Sequence, residues 1–174
     1  MAAKGLVQVY TGDGKGKTTC AIGLAIRLLG HGGRVAIIQF LKGWEGYGEV
    51  AFLEALPAVS LERTGRADFV RPRGPQPEDY AEAERGLRLA ERRITSGEYD
   101  LVILDEINVA LSYGLISTRT VLDMLKGRPA HVEVVLTGRN APDPLLDAAD
   151  LVTEMVNRRH PFERGIKARE GIEF

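Results

Sequence analysis

The 174-residue chain has a single cysteine, a single tryptophan, three histidines and no excess of either charge. One cysteine, Cys20, excludes an internal disulfide and a cysteine-built zinc site, and it fits a reducing cytoplasm. A free cysteine is usually a small packing residue, and Cys20 is read so. With 23 Lys and Arg against 24 Asp and Glu, the net charge is −1, which gives no electrostatic basis for nucleic acid as a partner. No apolar run approaches the ~18 residues that span a bilayer, and no secretory signal pattern opens the chain, so no membrane association is expected. His131 and His160 have no metal-ligand spacing around them and read as ordinary residues. What remains is 44% hydrophobic and 27% charged, the composition of an ordinary globular protein of one domain, residues 1–174.

Short β-branched runs at 6–10, 35–40, 101–105, 132–137 and 151–156 alternate with helical patterns, and 59–63 offers a short edge strand. That alternation predicts an α/β fold, a single doubly wound domain whose mostly parallel sheet is covered on both faces. Residues 17–29 read as a buried helix closed by Gly30. Residues 77–95 form the longest helix, with Tyr80, Ala83, Leu87, Ala90 and Ile94 on one stripe. Ser117 caps a helix to about Lys126, and 144–149 is a short one. Residues 41–50, with Trp44 and Tyr47, and 65–74, with Phe69 and three arginines, read as loops. Such loops at the carboxyl edge of the sheet suit a flat, partly apolar ligand.

Residues 11–19 read T-G-D-G-K-G-K-T-T between the first strand and the first helix. Gly12, Gly14 and Gly16 let the backbone curl so that N–H groups face one anion, and the helix N-terminus faces the same point. Lys17 brings a mobile positive charge, Thr18 a hydroxyl suited to Mg²⁺, and Thr19 the end of the cradle. Lys15 reads as a second phosphate contact, and Asp13 as an acid that needs a cation or amide nearby. The usual spacing puts glycine at position 11, where this chain has Thr11. The pattern gives a phosphate-loop NTPase-like (RecA-like) fold that binds a nucleoside triphosphate.

The run Leu101-Val-Ile-Leu-Asp105-Glu106 ends a buried strand in two acids. In phosphate-loop proteins such a strand runs beside the first and delivers a carboxylate to Mg²⁺. Spacing does not choose between Asp105 and Glu106. Arg139, after another strand end, is a candidate phosphate partner through its planar fork.

The string T-G-D-G-K-G-K-T-T, the run V-I-L-D-E-I-N-V-A-L-S-Y-G, the T-G-R at 137–139 and the ending G-I-K-A-R-E-G-I-E-F resemble ATP:corrinoid adenosyltransferases of the phosphate-loop type. The resemblance covers nearly the whole chain. It implies transfer of the 5′-deoxyadenosyl group of ATP to the Co(I) of a reduced corrinoid, with release of triphosphate. It also implies ATP bound in a direction reversed from most phosphate-loop proteins. Carried over by motif, residues 12–19 hold the triphosphate, Thr18 and Glu106 surround Mg²⁺, Phe69 lies over the corrin, and Arg139 belongs to the rim; Trp44, an aromatic of the 41–50 loop, is read as a binding residue beside them. A homodimer, a cytoplasmic location and an electron-donating reductase or flavoprotein are implied as well. The competing readings are a generic phosphate-loop NTPase or nucleoside kinase, which would release ADP, and a non-catalytic corrinoid or nucleotide carrier.

Overall fold

The structure, a computed structural model, describes residues 4–66 and 74–174. Phe69 lies outside the described residues. Among the described residues, six strands form one sheet: β1 (Val7–Thr11), β2 (Val35–Gln39), β3 (Val59–Arg63), β4 (Leu101–Asp105), β5 (Glu133–Thr137) and β6 (Leu151–Glu154). All neighbours pair in parallel, in the order β3-β2-β4-β5-β1-β6. Their continuous apolar sequences fit a parallel sheet, since the inner strands are buried on both faces. The option at 59–63 is a true strand.

Alternate residues of the strands feed two cores. Ala36, Ile38, Val102, Leu104, Val134 and Leu136 pack against α3 (Pro77–Thr95), α4 (Ile107–Ser112), α5 (Thr118–Lys126) and α6 (Asp143–Ala148). On the other face, Val35, Ile37, Leu101, Ile103 and Val135 meet Ala21 and Ala25 of α1 (Lys17–Leu29) and Leu53 of α2 (Gly48–Glu54). The period of two along each strand divides the side chains between the faces.

Several expectations change. The helix α1 is not a buried helix: only Lys17, Ala21 and Ala25 are buried, and Ile26 faces solvent. Cys20 is exposed rather than fully packed, with its thiol beside the Tyr10 hydroxyl. Tyr80 is 43% exposed, so the buried apolar stripe of α3 starts at Ala83. The helix starts through Asp79, whose carboxylate accepts the Gln76 N–H at 2.8 Å, a reach-back bond of the capping-box kind. The segment 41–50 is not loop throughout, since α2 begins at Gly48. Finally, β4 does not lie beside β1. The strand β5 separates them, pairing with both.

This topology brings the exits of β1, β2, β4 and β5 to one edge of the sheet. Backbone strain collects there too. Among the described residues, Leu41, Glu106 and Asn140 are the non-glycine residues with positive φ, at 57°, 61° and 55°, and each follows a strand exit within three residues. Left-handed conformations at non-glycine residues cost energy and gather at functional sites.

Candidate active site

The loop after β1 packs against the chain that leaves β6. Gly14 N–H donates to Met155 O at 2.6 Å, and Met155 N–H donates to Thr11 O at 2.8 Å. A Cβ on Gly12 or Gly14 would lie 2.5 or 2.7 Å from Met155 O, and Gly12 also needs φ of 91°. Glycine is required there because another backbone passes close. The Gly14 amide therefore belongs to the fold and does not point at an anion, contrary to the expectation for all three loop glycines. Thr11 also finds its reason: its hydroxyl accepts Ala141 N–H at 3.3 Å and ties the β1 exit to the segment after β5.

Lys17 is 6% exposed and curls back over the loop. Its Nζ donates to Gly12 O at 2.6 Å and Gly14 O at 2.8 Å. Burial pushes its ammonium pKa down, with Arg139 adding to the shift and Glu106 and Asp13 opposing it.

At the centre of the edge lies Asp105, 1% exposed. Its Oδ1 accepts Thr18 Oγ1 at 2.8 Å and Thr137 Oγ1 at 2.7 Å. Its Oδ2 accepts Lys42 Nζ at 2.7 Å and Gln39 Nε2 at 3.2 Å. Burial alone would raise the pKa of this carboxyl, but Lys42 and the hydroxyls hold it below the usual range. Burial would likewise lower Lys42, and Asp105 raises it above the ordinary lysine value. A buried ion pair with both carboxylate oxygens supplied is the arrangement that offsets desolvation. Thr137 makes the link that strand order would otherwise prevent. Standing on β5, its hydroxyl donates to Asp105 and accepts Glu106 N–H at 3.0 Å.

Glu106 turns the other way, into a cavity of about 630 Å³. Burial and then Asp105 push its carboxyl above the usual carboxylate range, against Lys42, Lys17 and Arg139. The same cavity is lined by residues 14–19 of the loop, Lys42, Tyr47, Arg139 and the segment Gly171–Phe174. Of the expected site residues, Gly14, Lys15, Gly16, Lys17, Thr18, Thr19, Glu106 and Arg139 meet on this cavity. Asp13 lines a neighbouring one with Lys15 and Arg139. Trp44 stands outside, edge-on to Tyr47 and to Phe174 at centroid distances of 5.2 and 5.3 Å.

Sequence reading gave no role to Lys42 or Gln39, and it quoted Thr137 only within the T-G-R string. A lysine just beyond a buried strand was the available signal for Lys42, but its partner lies 63 positions away. The end of the chain was legible as a motif without a place in space.

The ATP:corrinoid adenosyltransferase BtuR/CobO/CobP family model matches residues 3–174. The chain belongs to this family. Relatives agree with the match. A corrinoid adenosyltransferase of Pseudomonas aeruginosa is 40% identical over 172 residues, which is 98% of this chain and 84% of the relative. One from a Sinorhizobium species is 42% identical over 173 residues, 98% of this chain and 81% of the relative. The corrinoid adenosyltransferase CobA of Salmonella typhimurium is 34% identical over 171 residues, 98% and 86%. Membership makes the chain an enzyme, one that uses ATP to adenosylate a corrinoid. Among the described residues, no helix is long and apolar enough to cross a membrane.

Proposed function

We propose that the enzyme joins the 5′-carbon of ATP to the Co(I) of a reduced corrinoid and releases inorganic triphosphate. The Co–C bond forms as the C5′–O5′ bond breaks. Cobalt supplies the electron pair and becomes formally Co(III), and the pair from the broken bond leaves on the triphosphate oxygen. Co(I) is itself a strong nucleophile, so the protein's tasks are alignment and stabilisation of a highly charged leaving group.

One observation carries this reading. Lys15, Lys17, Thr18, Glu106 and Arg139, from three strand exits, converge on a single cavity. Their cations suit a triphosphate more than a single phosphate, and the loop amides and the first turn of α1 add partial positive charge.

The donor set fits Mg²⁺. Thr18 and Glu106 offer hard oxygens on the cavity wall, and Mg²⁺ commonly binds one or two carboxylates plus phosphates and waters. Both oxygens of Asp105 are already supplied with donors, so its task is to hold Thr18, with Glu106 as the direct ligand. When bound, the ion would act as a Lewis acid on the triphosphate. Glu106 and Lys17 would place that leaving group, while the apolar corrin side excludes water from Co(I). Phe69 over the corrin, a reductase or flavoprotein as electron donor, a homodimer and a cytoplasmic location complete the proposal. The exposed thiol of Cys20 suits a reducing compartment.

Anaerobic incubation with ATP, Mg²⁺ and chemically reduced corrinoid tests it. The expected result is an alkylcobalt spectrum and one triphosphate per corrinoid consumed. Lys17→Ala should lower the rate by about 100-fold or more, the scale of losing one charge-stabilising donor. Release of ADP without alkylcobalt, or wild-type turnover by that variant, would contradict the proposal.

A further inference from the structure

Residues 169–174 fold back against the phosphate cavity. Gly171 takes φ of 72°, and its N–H donates to Phe174 O at 2.7 Å, closing a tight turn. From this turn Lys15 Nζ receives two acceptors, Ile172 O and Glu173 Oε1, each at 3.0 Å. Arg169 grips the same carboxylate from the other side, through its N–H to Oε2 at 2.8 Å and Nη2 to Oε1 at 3.0 Å. Arg169 first, and then Lys15, hold the Glu173 carboxyl down at about 2, so it is ionised at any working pH. Phe174 meanwhile rests edge-on against Trp44.

A carboxylate set between a loop lysine and an arginine sits as a phosphate oxygen would. Lys15 is also a wall of the cavity that receives the triphosphate under the reading above, on which this inference rests. We propose that Glu173 is a positioning residue, an internal anion that holds Lys15 and competes with the triphosphate for it. Binding of the polyphosphate then lifts the turn at 171–174 from the loop. The competition has the right strength to be reversible: the pair is exposed, and exposed ion pairs are weak and screened by salt. Departure of Phe174 changes the surroundings of Trp44, the chain's only tryptophan.

The test titrates sodium tripolyphosphate into the full chain at low ionic strength, by calorimetry and by tryptophan emission. The wild type should bind with a change in Trp44 emission. Glu173→Gln should bind about 2- to 5-fold more tightly, the scale of an exposed ion pair, and the gain should fade as salt is added. Lys15→Ala/Glu173→Gln should bind no more tightly than Lys15→Ala. A merely structural role for Glu173 would weaken binding rather than strengthen it. Equal or weaker binding by Glu173→Gln, or wild-type emission unmoved at saturation, overturns the inference and leaves the loop as the triphosphate site. A wild type that binds no tripolyphosphate contradicts that loop reading, and the inference falls with it.

Discussion

At the scale of single residues, two adjacent carboxylates have opposite fates. Asp105 is held ionised by Lys42 and two hydroxyls, while Glu106, one residue on, is held above the ordinary carboxylate range by burial and by Asp105. The difference has a sign that can be measured. A raised pKa in the folded state means that the native protein keeps a proton which the unfolded chain has lost. Stability from this group is therefore present below the unfolded value, about 4.3, and is lost as pH rises through the raised value. Asp105 works the other way, losing stability as pH falls through its lowered value. Glu106→Gln removes the first contribution only. Without ligands, its urea midpoint should exceed that of the wild type at neutral pH, and the two should converge below about pH 4. A gap that stays constant with pH would show that Glu106 is not held in this state. The same variant should lose activity, because the residue strained at φ of 61° is the proposed metal ligand. Stability gained and function lost together is a common mark of a site residue.

At the scale of elements, the loop, β6 and α1 act as one unit. Its glycines were legible from spacing, but their reason was not, because Met155 lies far along the chain and a backbone carbonyl leaves no trace in sequence. Gly14→Ala puts a methyl group 2.7 Å from that carbonyl and strains the 2.6 Å bond beside it. The expected cost is about 1–3 kcal/mol, read by urea denaturation, because neither backbone can move without shifting the sheet edge. An unchanged midpoint would mean that the loop and β6 do not meet in this register.

The strands were legible for a simpler reason: continuous β-branched runs carry their own signal. By contrast α2 and α4 were not, being 7 and 6 residues long, one opening with Gly48 and the other following a left-handed Glu106. Neither start has the side-chain cap that marks a helix in sequence. Residues named from motifs meet on one cavity, whereas Lys42, whose partner Asp105 lies far along the chain, carried no local signal. Strand order also hid from local reading, since only the fold places β5 between the loop strand and the acid strand.

At the scale of the whole molecule, the two sides of the sheet end differently. The strand β3 is half-buried, whereas β6 is exposed along its length and carries Leu151 and Val152 at 40% and 45% exposure. An open apolar edge is a template for pairing with another chain. The proposed homodimer would cover it. Light scattering in solution should give twice the chain mass, and Val152→Lys should shift the population toward monomer by placing a charge on that edge. A wild type that is monomeric at micromolar concentration would remove the dimer from the account.

The central claim is that the loop grips the polyphosphate while cobalt attacks the sugar end of the same nucleotide. ATP labelled with ¹⁸O at the bridging O5′ position tests it in one measurement. Cleavage between C5′ and O5′ predicts that all of the label leaves in the triphosphate, with none in the adenosylated corrinoid. Label retained on the nucleoside, in ADP or AMP, would mean attack at phosphorus and would contradict the account.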